Sequence, residues 1–153
     1  SGCGVTVKDY GRILADDLEY ADRAKTLSAK TYDVSEYLHQ ANLPLTAKQP
    51  SQAIAWHPPC SLQHGQKITG VVEELLEGAG YNLVPVADSH LCCGSAGTYS
   101  VLQYERSQAL RQLKLDSLLE ADPEVIVTAN VGCQSHLAAG TSRPVLHWIE
   151  MLK

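Results

Sequence analysis

No run of apolar residues in this 153-residue chain approaches the roughly 20 that a helix needs to cross a bilayer, which argues against such a span. There is no basic run either. Lys and Arg number 12 against 17 Asp and Glu, a net charge of −5. That balance gives no electrostatic reason to expect nucleic acid or an anionic membrane surface as a partner. The N-terminus lacks the basic and apolar regions of a signal peptide, an absence that points to the cytoplasm. No Gly-Lys-Ser/Thr ending makes a phosphate loop of Gly94–Gly97, and no dinucleotide fingerprint opens there. A Ser-His-Asp hydrolase lacks its Gly-x-Ser-x-Gly elbow. The starting residues Ser1-Gly2-Cys3-Gly4 carry no Met, so a fragment of something longer is expected.

Cysteine is present in an informative number. Five of them, at positions 3, 60, 92, 93 and 133, are an odd count in a chain without a secretion signal. That argues against a disulfide framework and for metal binding or redox chemistry. Cys92 and Cys93 are adjacent. A bridge across one peptide bond is strained, whereas two neighbouring thiolates readily share one metal or cluster. The Gly94-Ser95-Ala96-Gly97 that follows has little bulk, so the main chain can approach an inorganic centre and aim N–H groups at anionic sulfur.

Periodicity predicts an α/β fold. Residues 5–41 are predicted as two or three helices, with Asp33 and Glu36 placed for a capping box and Asn42-Leu43-Pro44 ending the last. A loop over 45–52 leads to a strand at Ala53–His57, stopped by Pro58-Pro59. A helix is predicted from Gln66 to Glu77, with stop signals at Gly78 and Gly80. A strand follows over Tyr81–Val86, then a helix over Leu102–Ala121, apolar at Ala109, Leu110, Leu113 and Leu118 and ended by Pro123. The β-branched run Glu124–Asn130 is a third strand. A short helix over Gln134–Ala139 comes next, and Pro144–Leu152 reads as a strand turn and a final helix. The alternation predicts a small parallel sheet flanked by helices, with right-handed crossovers. An N-terminal helical segment over 1–45 then precedes an α/β domain over 46–153.

Ligands of parallel sheets bind outside the carboxyl ends of the strands. Cys60, Cys92, Cys93 and Cys133 each follow a predicted strand, so four thiols are expected to converge on strand-end loops at one sheet edge. Cys133-Gln134-Ser135-His136 adds Cys-x-x-His spacing, which makes His136 a candidate ligand or a hydrogen-bond partner of sulfur. His57 and His64 bracket Cys60 as donors to the ligands or as solvated loop residues. Asp9, Asp16, Asp17 and Glu19 read as a solvated acidic face. Zinc on the four cysteines, inert buried thiols, or thiol-disulfide chemistry at Cys92-Cys93 remain open on these residues alone.

At these residues the sequence resembles the cysteine-rich CCG family, found in the heterodisulfide reductase B subunit, lactate-utilisation proteins and the iron–sulfur subunit of glycolate oxidase. His57–Gly65, Ser89–Tyr99, Ala129–Cys133 and His147–Glu150 are similar to the C-terminal segment of the last. Gly2-Cys3-Gly4 with Val7–Gly11 resembles the end of a preceding copy of the unit. The resemblance implies a non-catalytic electron-transfer subunit of a glycolate oxidase complex, beside flavin-containing subunits. It implies a 4Fe–4S cluster, cubane or non-cubane, on Cys60, Cys92, Cys93 and Cys133, with zinc as a substitute. The expected location is the cytoplasm or, peripherally, the inner face of the membrane. The family's motif ends in Cys-x-x-Cys; here the last position is His136, and ligation with or without it stays open.

Overall fold

The apolar runs Ala53–His57 (β1) and Val125–Thr128 (β3) form the centre of a four-stranded, wholly parallel sheet in the computed structural model, which describes residues 1–153. Asn82–Leu83 (β2) and Val145–His147 (β4) are its edges, in the order β2-β1-β3-β4. The helices are α1 (Gly2–Ile13), α2 (Ala21–Ala29), α3 (Val34–Ala41), α4 (Val71–Ala79), α5 (Tyr99–Leu102), α6 (Tyr104–Leu119) and α7 (Val131–Ala138). A π-helical turn at Ser61–Gly65 follows β1, and a 3-10 turn at Trp148–Met151 follows β4.

The predicted class and element order hold, and the differences have local causes. β1 has its expected bounds. The predicted strand at 81–86 shrinks to Asn82–Leu83: Pro85 has no N–H to offer a ladder and restricts the residue before it. The predicted helix at Gln66–Glu77 instead begins at Val71 and runs to Ala79, because Lys67 and Gly70 take left-handed conformations (φ 58° and 79°) that no α-helix continues through. The helix expected over 102–121 is two, broken at Gln103 (φ −122°, ψ 50°). β3 spans Val125–Thr128 rather than 124–130, and α7 begins at Val131 rather than Gln134 because Asn130 caps it. The final helix is only the 3-10 turn.

Strand parity divides the core in two. Ile54, Trp56, Val125 and Val127 face one side and pack with Val72 and Leu76 of α4 and with Trp148 and Met151. Ala55 and Ile126 face the other, against Leu115 and Leu118 of α6, Leu137 of α7, and Cys93 and Cys133. Residues two apart on a strand share a face, so His57 and Thr128 belong to this second side.

The N-terminal helices contribute little to either core. α1 buries no residue, and α2 buries only Ala24. They pair with each other, and Ser28 Oγ joins them by accepting from the Gly11 N–H (2.9 Å) and donating to the Val7 carbonyl (2.9 Å). α3 carries the expected capping box between Asp33 and Glu36, and Glu36 also pairs with Lys8 of α1.

Candidate metal centre

The two central strands end side by side. His57 of β1 is in register with Thr128 of β3, and Thr128 with His147 of β4. The chain leaves β1 toward β2 and returns to β3, so the crevice between β1 and β3 is the point where strand order reverses and where ligands of such sheets bind. Pro58-Pro59 stop β1 and deliver Cys60 to the start of the π-helical turn. On the other side of the crevice, the Asn130 side chain accepts from the Gly132 N–H (2.8 Å) and starts α7, which sets Cys133 in that helix's first turn. Asn130 Nδ2 also donates to Ser61 Oγ (3.1 Å), tying the two strand ends together.

The segment after β2 brings the other pair. Cys93 and Cys133 are buried, while Cys60 and Cys92 are half-buried. Cys60 lies against Cys92, Cys92 against Cys93, and Cys93 against Cys133, so each thiol can donate to or accept from its neighbour. Donation to Cys92, then burial, pushes the Cys60 thiol up. Donation to Cys133 and Cys92, with burial, pushes the Cys93 thiol up as well. The thiols of Cys60 and Cys93 hold Cys92 far below the ordinary thiol range. Cys133 falls to about 5, through Cys93 first and then His57. The opposed shifts have one cause: the four sulfurs lie too close together for all of them to ionise unaided. Four thiolates this close need a cation among them.

Gly94 makes the vicinal pair fit. It has φ 90°, and a Cβ there would lie 2.5 Å from the Ser107 carbonyl oxygen and 3.1 Å from Leu110 Cβ. Only glycine allows the turn to press this close to α6. The Gly94 N–H donates to Cys92 Sγ (3.3 Å), and Ser95 Oγ donates to Cys133 Sγ (3.9 Å). The expected N–H–sulfur contact is therefore present, and the lack of bulk serves helix packing as well.

The histidines separate clearly. His57 is fully buried at 0% exposure, with neither ring nitrogen hydrogen-bonded. One of its nitrogens and the sulfurs of Cys93 and Cys133 all lie within 4.8 Å of one another. A buried imidazole without a partner is costly, and a metal or a ligand sulfur beside it would satisfy it. Thr128 Oγ1, on the same sheet face, is likewise buried without a partner. His136, the Cys-x-x-His candidate, instead sets Nε2 3.2 Å from Ser107 Oγ, behind Gly94. His64 and His90 are exposed.

A cleft of about 900 Å³ opens over these residues, lined by Cys60, Cys92, Cys93 and Cys133 and, across from them, by Cys3 and Asp33. All five cysteines therefore face one cavity. The donors fit a soft metal or cluster: clustered sulfurs with one unpartnered imidazole. Strand parity is the signal that selects His57 over the other histidines, since it shares the face of Ala55. Thr128 follows from the same rule. Ser107 and Lys114 of α6 also reach the site's loop, and nothing in the helix pattern marked them.

Residues 54–138 match the family described as the cysteine-rich domain, CCG. Over 153 residues the chain is 46% identical to the glycolate oxidase iron-sulfur subunit of Escherichia coli (strain K12), covering 100% of this chain and 38% of that protein. It is 31% identical over 150 residues to the probable glycolate oxidase iron-sulfur subunit of Bacillus subtilis (strain 168), covering 93% and 33%. With lactate utilization protein A of Exiguobacterium sp. (strain ATCC BAA-1283 / AT1b) it shares 30% identity over 159 residues, covering 98% and 64%. The chain thus spans less than two fifths of the two glycolate oxidase subunits and less than two thirds of the lactate protein. The matched stretch covers more than half of the chain and contains all four clustered cysteines, and the chain belongs to the cysteine-rich CCG domain family.

Proposed function

We propose that this chain is an electron-transfer part of a glycolate-oxidising complex, in which Cys60, Cys92, Cys93 and Cys133 hold one 4Fe–4S cluster and flavin-containing subunits are the partners. The observation that carries the proposal is the meeting of four thiols from three strand ends beside an imidazole that has no other partner. The relatives named as iron–sulfur subunits of glycolate oxidase support an iron–sulfur centre and the choice of complex. When bound, such a cluster supplies reversible storage of one electron.

The chain's own groups hold and tune that site. Four ionised sulfurs would give the four ligands that such a cluster takes, cubane or non-cubane. Hydrogen bonds from the Gly94 N–H and Ser95 Oγ withdraw charge from Cys92 and Cys133, which favours the reduced state. His57 is the nitrogen placed to ligate or to donate to sulfur; its proximity to Cys93 and Cys133 supports it over His136, which is engaged with Ser107. Burial of Cys93 and Cys133 keeps water from one side, while half-buried Cys60 and Cys92 face the cleft through which a partner exchanges electrons. No side chain here is assigned as an acid or base, because the substrate's bonds change at the partner. No helix is long and apolar enough to cross a membrane, and the protein is proposed to work in the cytoplasm, reaching the membrane's inner face through its partners.

A second reading follows from the compact group of His57, Cys93 and Cys133, whose donor atoms lie within 4.8 Å of one another, a span that a single zinc ion could occupy. Anaerobic purification with iron, acid-labile sulfide and zinc analysis separates the two. The expected result is about four iron and four sulfide for the centre, with an EPR signal on reduction. Zinc without sulfide would establish the second reading, and protein with no metal would overturn both.

A further inference from the structure

Of the four residues that α6 buries, Ser107, Lys114, Leu115 and Leu118, the oddest is Lys114. It has 0% exposure, beside a layer that includes Ala55, Ile126, Leu115, Leu118 and the buried Cys93 and Cys133. No carboxylate lies within ion-pairing distance of its ammonium. Its Nζ instead donates to the main-chain carbonyls of Asp88 (3.1 Å) and Ser89 (3.0 Å), at the start of the segment that carries Cys92 and Cys93.

Two serines on the same helix complete the grip. Ser117, three residues on, donates to the Ala87 carbonyl (2.8 Å), and Ser107, seven residues back, donates to the Gly94 carbonyl (2.8 Å). Spacings of three and seven lie on one helical face. α6 therefore holds both ends of residues 87–94, and Asp88 within it takes a left-handed φ of 48°. A loop held only for its shape needs hydroxyls such as these. An ammonium buried without a carboxylate is a costly way to make the same two hydrogen bonds, so a compensating negative charge is called for. The groups at hand are the sulfurs: burial lowers the Lys114 pKa, while Cys93, then Asp88, Cys60 and Cys92, pull it back up.

We propose that Lys114 is a positioning residue and the resident counter-charge of the thiolate site. It anchors the Ala87–Gly94 segment that presents Cys92 and Cys93, and its positive charge offsets the excess negative charge of the four ionised sulfurs around a bound centre. The second half rests on the cluster reading above. Removing the charge raises the cost of adding an electron nearby, so the potential falls. Replacing Ser117 loosens the same loop and leaves the charge in place.

The test is a redox titration, followed by EPR, of anaerobically loaded protein carrying K114M, K114Q, K114R or S117A, with iron content measured on each. The expected result is a fall in midpoint potential in K114M and K114Q equivalent to about tenfold in the reduced-to-oxidised ratio, about 59 mV for a one-electron couple. K114R and S117A should stay near wild type. K114M with wild-type iron content and an unchanged midpoint overturns the proposal. Where K114M fails to fold or load, K114Q against K114R makes the same comparison, and equal potentials there overturn it. Wild-type protein that takes up no iron is a different failure, that of the cluster reading itself.

Discussion

The two faces of the sheet are built from the same strands and do different work. On one face Ile54, Trp56, Val125 and Val127 meet Leu76 and Trp148 in an apolar layer. On the other, one residue over, Ala55 leads to His57 and Ile126 to Thr128, and the layer above them contains Cys93, Cys133, Ser107 and Lys114. The first face buries hydrocarbon and supplies stability. The second buries donors and charge, which stabilise the fold only once they are matched. A functional centre here is a face of the core from which apolar packing has been withheld.

Substitutions should therefore separate the two faces. The largest effect is expected from C93S, at the centre of the sulfur chain: iron and sulfide fall to background, while the iron-free fold, followed by circular dichroism, is retained. L76A should do the reverse. Leu76 has 0% exposure on the apolar face, so its truncation costs about 2–5 kcal/mol in denaturant unfolding, with iron per folded chain unchanged. The histidines sharpen the comparison within the second face. H57A should weaken iron retention against a chelator by about 10–100-fold, and H136A by clearly less; the opposite order would return the ligand role to His136. The smallest effect is expected for L113S, within about 0.5 kcal/mol, because Leu113 is 60% exposed despite its place in the predicted apolar stripe.

Leu113 also shows where an apolar pattern misleads, while shorter signals were legible in the sequence. Ala53–His57 is found with its predicted bounds because an apolar run meets two prolines, and the Asp33–Glu36 capping box because its signal lies within four residues. Local rules sufficed for both. The strand–helix alternation was enough to bring Cys60, Cys92, Cys93 and Cys133 to one edge, since parallel strands end together. In α6 the apolar pattern picks out Ala109, Leu110, Leu113 and Leu118, whereas its buried face carries Ser107 and Lys114 with Leu115 and Leu118. Polar side chains turn inward only when a distant segment supplies partners, and residues 87–94 are far from α6 in the local pattern. In the sequence His57 stands out only as a neighbour of Cys60. The parity that turns its ring toward Cys93 and Cys133 becomes decisive only once the helices are assigned to opposite faces of the sheet. The cleft's remaining wall, with Cys3 and Asp33, comes from the N-terminal segment, whose motifs do not say that it folds over the four-cysteine site.

The central claim is that four sulfurs share one iron centre, and crystals grown without oxygen test it most directly through anomalous scattering at the iron and zinc edges. The expected result is a peak at the iron edge among the Sγ atoms of Cys60, Cys92, Cys93 and Cys133. A peak at the zinc edge alone, or four well-ordered sulfurs with no anomalous scatterer between them, would contradict it.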